Sequence, residues 1–466
     1  MRELVGLVGL GTMGSALALN LLEHGYSVLA HDKNAKRQSA LAARAAALPE
    51  GSGELQLFSS PEQLAEALPR PRLALLLVPP GPTTDAALDE LLPHLSPGDT
   101  VVDLGNTSYL DTERRQEALA LRGIELVGSG LSGGEHGARN GPSLMPGGTA
   151  AGYRQAARVL EPLAARCPDG SPCIAHIGSG GAGHFVKMVH NGIEYAEMQL
   201  LCELYAFTRA SFGGDIGRTA ELFDRLKTGP LSSYLVSITA DILKKREGAH
   251  PLLDLVAELA DQKGTGRQTV EAALQYGVPV PTITAAVEAR NLSALRTRQG
   301  RFPLPSGAFA AARPEALPAE TLERALLAAR VSIYEQGLSL VRAVSESRGW
   351  GVDLKRVVSV WRRGCIIQSE LLELLAGRLS AHETPLEHPA LCALTEQGDR
   401  ELRRLLAAAS AERLYVPALA SAVCYLDGRR AGHLATNLIA AQRDCFGAHT
   451  YGRIDRPGAF HTEWGK

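Results

Sequence analysis

Short apolar runs alternate with helical patterns over residues 1–180. Residues 4–10 form an apolar run that predicts a strand, and 15–23 repeat apolar positions at helical spacing. Residues 26–31, 72–78, 100–104 and 124–127 predict further strands, most of them after a helical stretch. Proline- and glycine-bearing joints at 48–53 and 78–82 read as loops. Alternating β and α segments of this length predict an α/β unit with a parallel, doubly wound sheet. From Gly183 the alternation fades, and long Ala- and Leu-rich helical patterns run nearly to the end, broken by a proline-dotted segment at 302–318. The predicted organisation is an α/β unit over 1–180, an all-helical unit over 181–435 and a C-terminal tail over 436–466.

The helical part carries an internal repeat. Val280-Pro281 followed by Ala286-Val287 recurs as Val416-Pro417 followed by Ala422-Val423, an offset of 136. Asp215 and Phe223 recur as Asp353 and Trp361 at an offset of 138, and Tyr195 as Tyr334 at 139. Two similar helical units, about 181–300 and 320–435, account for this.

Composition narrows the class of function. The chain has 466 residues, 48 Lys+Arg against 50 Asp+Glu, and a net charge of −2, which argues against a general nucleic-acid binder. Seven cysteines, with no C-x-x-C pair, fit neither a zinc site nor a disulfide framework. They read as thiols of a reducing compartment. No apolar run reaches the roughly 18–20 residues of a membrane span, and the start Met1-Arg2-Glu3 lacks the apolar stretch of an export signal. The expectation is a cytoplasmic protein without membrane or nucleic-acid partners.

Gly9-Leu10-Gly11-Thr12-Met13-Gly14 follows the first predicted strand and opens the first predicted helix. In that context Gly9 permits a tight turn, Gly11 lets backbone approach a pyrophosphate, and Gly14 lets helix and strand pack closely. The helix start offers free N–H groups to the phosphates. Asp32 ends the second strand, where a carboxylate accepts from the ribose 2′-hydroxyl of NAD and repels the 2′-phosphate of NADP. Lys33, Lys36 and Arg37 follow closely and offer the opposite attraction.

A polar stripe marks the helical pattern 182–210. Lys187, His190, Asn191 and Glu194 stand at i, i+3, i+4 and i+7, hence on one face. The stripe combines a candidate base, two polar positioners and a candidate acid within strongly apolar flanks. Shifted by 139, the second repeat has Leu326, Ala329, Arg330 and Ile333 there and does not keep the stripe. Three further segments suit an anion. Lys263-Gly264-Thr265-Gly266 precedes a helical pattern, Ser132-Gly133-Gly134 forms a small-residue turn, and Arg443 and His449 lie six apart around Gly447.

These motifs together resemble the decarboxylating 6-phosphogluconate dehydrogenases, within the β-hydroxyacid dehydrogenase superfamily. The resemblance is carried by residues 127–135 (VGSGLSGGE) and the Gly137–Gly148 stretch that follows. Residues 181–195 (GAGHFVKMVHNGIEY), 263–269 and 441–449 (AQRDCFGAH) match as well, in the family's order and spacing. It implies an N-terminal Rossmann domain, a large all-α domain built by duplication, and a tail that completes the partner's site in a homodimer. The implied reaction, a step of the pentose phosphate pathway, converts 6-phospho-D-gluconate to D-ribulose 5-phosphate and CO₂ while reducing NADP or NAD, with no metal. Lys187 matches the family's base and Glu194 its acid. Asn106, Ser132, Gly133, Gly134, His190 and Asn191 match residues near the substrate carboxylate, C3 and the nicotinamide. Tyr195, Lys263, Thr265 and Arg290 match the sugar-phosphate contacts, joined by Arg443 and His449 from the neighbouring subunit. Gly9, Gly11, Thr12, Met13, Gly14, Asp32, Lys33, Asn34, Val78 and Asn106 match the cofactor contacts.

The chain departs from the family pattern at several places. Gly11 stands for the usual Ala, Asp32-Lys33-Asn34 for Asn-Arg-Thr, and Pro79-Pro80-Gly81 for Lys-Ala-Gly. Leu226 and Gln268 replace common tryptophans, and Cys445 a common tyrosine. The family points to NADP, while Asp32 leans towards NAD. Two other readings share parts of the pattern: another β-hydroxyacid dehydrogenase with an unphosphorylated substrate, and a non-catalytic nucleotide-binding protein on the same scaffold.

Overall fold

A computed structural model describes residues 3–299 and 313–465. The first two residues of the chain and most of the segment 302–318 lie outside the described residues. The N-terminal part is a seven-stranded sheet: β1 (Leu4–Val8), β2 (Ser27–His31), β3 (Leu55–Leu57), β4 (Leu73–Leu76), β5 (Thr100–Asp103), β6 (Glu125–Ser132) and β7 (Ser143–Gly147). Its order is β3-β2-β1-β4-β5-β6-β7. Seven helices accompany it: α1 (Thr12–Glu23), α2 (Ala35–Ala45), α3 (Pro61–Ala67), α4 (Pro82–Leu91), α5 (Tyr109–Ala120), α6 (Gly134–Asn140) and α7 (Ala150–Leu163). Successive strand residues enter opposite cores. Leu7 and Leu75 join the cluster under α1, whereas Val8 and Leu76 join the one under α3 and α4. Burial on both faces explains why the central strands read as continuous apolar runs.

Two features depart from the sequence expectation. Strand β3 spans three residues, too short for a clear pattern. Strand β7 runs antiparallel to β6, so the sheet is not wholly parallel. The connection 133–142 is shorter than the dozen or so residues of a parallel crossover, so the chain can only turn back. It does so through left-handed Gly133 and the one short helix α6.

The helical part contains α8 (Ala182–Ser211), α9 (Ile216–Leu226), α10 (Tyr234–Lys244), α11 (Thr265–Gln275) and α12 (Pro281–Gln299). It continues with α13 (Ala319–Arg348), α14 (Leu354–Val360), α15 (Glu370–Arg378), α16 (Pro389–Ala411), α17 (Pro417–Arg430) and α18 (Asn437–Gly447). It is not purely helical: short hairpins pair Arg246–Glu247 with His250–Pro251 and Tyr451–Gly452 with Ala459–Phe460.

The residues that repeat in sequence hold matching places. Helices α8 and α13 each have 30 residues. Asp215 and Asp353 cap the N-termini of α9 and α14 through their side chains. Ser233 and Ser369 cap α10 and α15, and Pro281 and Pro417 open α12 and α17. The two Ser-capped turns exchange backbone bonds reciprocally, Tyr234 N to Gln368 O (3.1 Å) and Glu370 N to Ser232 O (2.9 Å). Helices α8 and α13 cross closely: a Cβ on Gly337 would lie 2.6 Å from Ile193 Cδ1.

Candidate active site

The strand order reverses between β1 and β4, and the crevice outside the strand ends there is where such sheets take ligands. Gly9, at φ +100°, makes the turn out of β1; a Cβ there would meet Leu77 O at 2.4 Å. Gly14 passes so close to the strand end that a Cβ would lie 2.0 Å from Gly9 O. Around Gly11, by contrast, no atom lies within 4 Å of an added Cβ, so the start of α1 faces open space. Thr12 is exposed beside it, and Met13 half-buried. This combination fits a pyrophosphate cradle, and replacing the family's Ala by Gly costs no contact there.

Asp32 is buried at the end of β2, and each oxygen accepts a backbone N–H at 2.7 Å, Oδ2 from Leu10 and Oδ1 from Asn34. Asn34 caps α2. A cavity of about 230 Å³ opens here, bounded by Gly9, Asp32, Lys33, Val78 and Glu90 among others. Asn106 is exposed in the turn after β5. Asp103 holds that turn by accepting from Gly105 N (2.9 Å) and Thr107 Oγ1 (2.7 Å).

The polar stripe faces the end of β6. Lys187 Nζ donates to Ser132 Oγ at 2.9 Å and lies 3.4 Å from His190 Nδ1. His190 is fully buried, with Nε2 3.2 Å from Ser132 Oγ and Nδ1 3.1 Å from Asn191 Oδ1. The Asn191 and Ser132 bonds are satisfied together when Nδ1 carries the imidazole proton and the serine hydroxyl donates to Nε2, a tautomer in which Nδ1 accepts nothing from Lys187. Glu194 Oε2 lies 3.8 Å from His190 Nδ1. Burial pushes the Lys187 amine below its usual pKa, against the pull of Glu194. Burial likewise drives His190 well down, aided by Lys187, and raises Glu194 against the opposing pull of Lys187 and Arg290. The site therefore disfavours charge on each of its three titratable groups.

Close packing holds this geometry. A Cβ on Gly130 would lie 2.3 Å from Lys187 Cβ, so β6 presses directly on α8. Gly133, at φ +113°, brings its turn against Gly364 O, while the surroundings of Gly134 are open. On the far side, a Cβ on Gly266 would lie 2.5 Å from the Tyr195 ring, which sets the start of α11 against Tyr195. Thr265 opens that helix, and exposed Lys263 precedes left-handed Gly264. The Arg290 guanidinium stacks 3.7 Å over the Tyr195 ring. Lys187, Ser132, His190, Asn191, Glu194, Tyr195, Thr265 and Arg290 thus fall into one region.

Arg443 and His449 are exposed on the tail. Among the described residues no hydrogen bond or ion pair joins them to that region. Asp444, between them, ties the tail to itself, accepting from Thr450 N, Thr462 N, Trp464 Nε1 and His461 Nδ1. Some contributors escaped the sequence reading. Trp361 meets His190 edge-on at 5.7 Å, and buried Cys365 lies near Lys187, which draws its thiol pKa down against burial; the net value is raised to about 12. The repeat had marked Trp361 only as a partner of Phe223.

Two family models cover nearly the whole chain. The NAD binding domain of 6-phosphogluconate dehydrogenase matches residues 4–178, and the 6-phosphogluconate dehydrogenase C-terminal domain matches 183–464. The chain is 39% identical over 478 residues to the decarboxylating 6-phosphogluconate dehydrogenase of Escherichia coli, covering 99% of each. It is 39% identical to the NADP(+)-dependent, decarboxylating enzyme of Bacillus subtilis, covering 100% of each. Its structure superposes with a TM-score of 0.92 on Plasmodium falciparum 6-phosphogluconate dehydrogenase, a protein described in apo form and with NADP+ and 6-phosphogluconate. There the identity is 34%, covering 99% of this chain and 100% of that one. The chain belongs to the decarboxylating 6-phosphogluconate dehydrogenase family.

Proposed function

We infer that this chain catalyses the oxidative decarboxylation of 6-phospho-D-gluconate to D-ribulose 5-phosphate and CO₂, with reduction of a nicotinamide dinucleotide. The observation that carries this reading is the buried Lys187 amine, bonded to Ser132 and set beside His190 and Glu194. A base must be neutral to take the C3 hydroxyl proton, and burial favours neutral Lys187. Gly9, Gly11, Thr12, Met13, Gly14, Asp32, Lys33, Asn34, Val78 and Asn106 would hold the dinucleotide, which when bound would supply the acceptor for the hydride of C3.

Lys187, now an ammonium, donates to the new C3 carbonyl and favours loss of CO₂ from the β-keto acid. Glu194, whose pKa burial raises, then protonates C1 of the enediol. His190 and Asn191 orient C3 and the carboxylate, with Ser132, Gly133 and Gly134. Tyr195, Lys263, Thr265 and Arg290 hold the phosphate end, where charge-assisted bonds are strong.

The homodimer is also a proposal. It is supported by the apolar side chains Leu438, Ile439 and Phe446, which α18 leaves 61%, 56% and 74% exposed. A second copy covering that face would receive Arg443 and His449 at its own phosphate site. The division into 1–180, 181–435 with units 181–300 and 320–435, and a tail 436–466 rests on the matching capped helices. A cytoplasmic location rests on the cysteine pattern; among the described residues, no helix is long and apolar enough to cross a membrane.

Steady-state formation of reduced cofactor from 6-phosphogluconate, with NAD and with NADP, tests the reading. Folded protein that turns over with neither would overturn it. Equal turnover of gluconate and its 6-phosphate would favour a different β-hydroxyacid dehydrogenase.

A further inference from the structure

The cavity at the end of β2 carries two carboxylates and two cations as closed pairs. Lys33 Nζ lies 2.7 Å from Glu90 Oε1 on α4, and Arg37 Nη1 lies 3.4 Å from Asp32 Oδ2. All four residues line the cavity, whereas Lys36, the third cation of the segment, is exposed and does not. Glu90 occupies the last turn of α4, where the helix dipole disfavours a carboxylate and no basic residue offsets it from within the helix. Its compensation comes from Lys33, 57 residues earlier.

A ribose with a free 2′-hydroxyl suits this wall: it donates to the fixed Asp32 carboxylate and leaves both pairs intact. A 2′-phosphate carries about −1.5 to −2 charges at neutral pH. It would have to draw Lys33 from Glu90 and stand beside two carboxylates.

We propose that Glu90, by occupying Lys33 in the wall of the cavity, acts with Asp32 to select a dinucleotide whose ribose has a free 2′-hydroxyl, NAD over NADP. This rests on the dinucleotide reading of the crevice. The Lys33 and Glu90 side chains are 72% and 40% exposed, so their bond is weak in itself. The preference comes from the charge of Glu90, which offsets Lys33 and opposes a 2′-phosphate.

Titration calorimetry on the full-length protein, with NAD, NADP, 5′-ADP and 2′,5′-ADP, tests this without turnover. The wild type is expected to bind NAD and 5′-ADP more tightly than their 2′-phosphorylated counterparts. Glu90→Gln frees Lys33 and should lower the NADP-to-NAD ratio of dissociation constants about tenfold, the scale of one partly screened charge contact. Lys33→Met should move the ratio the other way. An unchanged ratio in Glu90→Gln, or a wild type that prefers NADP, would overturn the proposal. Failure of folded wild type to bind any of the four ligands would instead overturn the dinucleotide reading beneath it.

Discussion

Helices α8 and α13 have the same length and equivalent places in the two halves of the helical part, yet they handle polar groups in opposite ways. On α8 the stripe gathers Lys187, His190 and Glu194 around a site whose burial opposes charge on each. At the matching positions α13 buries Leu326, Ala329, Arg330 and Ile333. The one charge among these four is neutralised: Arg330 Nε and Nη2 donate to the two oxygens of Glu197 on α8, both at 3.0 Å, and Nη1 donates to Leu231 O at 3.1 Å. The stripe positions of α8 keep titratable groups short of charge compensation, while the matching positions of α13 hold one charge that is fully paired. The contrast separates the pair that joins α13 to α8 from the stripe that faces β6, which the proposed chemistry uses.

The sharpest way to break this contrast is to truncate each side. Lys187→Ala should lose about 10³-fold in turnover, the usual scale for a general base. Its affinity for the dinucleotide, read by calorimetry, should stay near that of the wild type; retained turnover would remove Lys187 from the mechanism. Glu197→Ala should act through stability instead. It leaves Arg330 buried and unpaired, and urea unfolding should show a loss of about 3–5 kcal/mol. A change below about 1 kcal/mol would mean that water or another acceptor replaces Glu197.

A smaller effect is expected where the two roles meet. Gly130→Ala places a methyl against Lys187 Cβ and should cost about 1–3 kcal/mol of stability by overpacking, with reduced turnover in the molecules that fold. Wild-type stability and activity would show that β6 can move away from α8.

The mildest test follows pH. The folded-state pKa of Lys187 lies below its ordinary value of 10.5. Between the two values the unfolded chain binds more protons, so this group's penalty on stability is full at lower pH and is relieved as pH rises. Lys187→Met should therefore be more stable than wild type near neutrality, by a margin that shrinks as pH approaches 10.5. A margin independent of pH would show that Lys187 is not the titrating group.

Much of the site could be read along the chain because its parts are local. The glycine fingerprint is six contiguous residues, and the stripe lies within three turns of one helix. Other contributors came from far away. Glu90 meets Lys33 across 57 residues. Trp361 meets His190 from the other helical unit, and Gly130 matters only because β6 lies against α8. Strand β7 shows the same limit: its apolar pattern says nothing of direction, which the short connection through α6 decides.

Sequence alone determined the α/β-then-helical order, the family resemblance, and which side chains share the face of α8, because helical period and glycine spacing are properties of neighbouring residues. Tertiary structure decided the protonation bias of Lys187, His190 and Glu194 and the pairing of Lys33 with Glu90. Burial and charge compensation depend on which distant segments exclude water from a group and which counter-charge they bring to it.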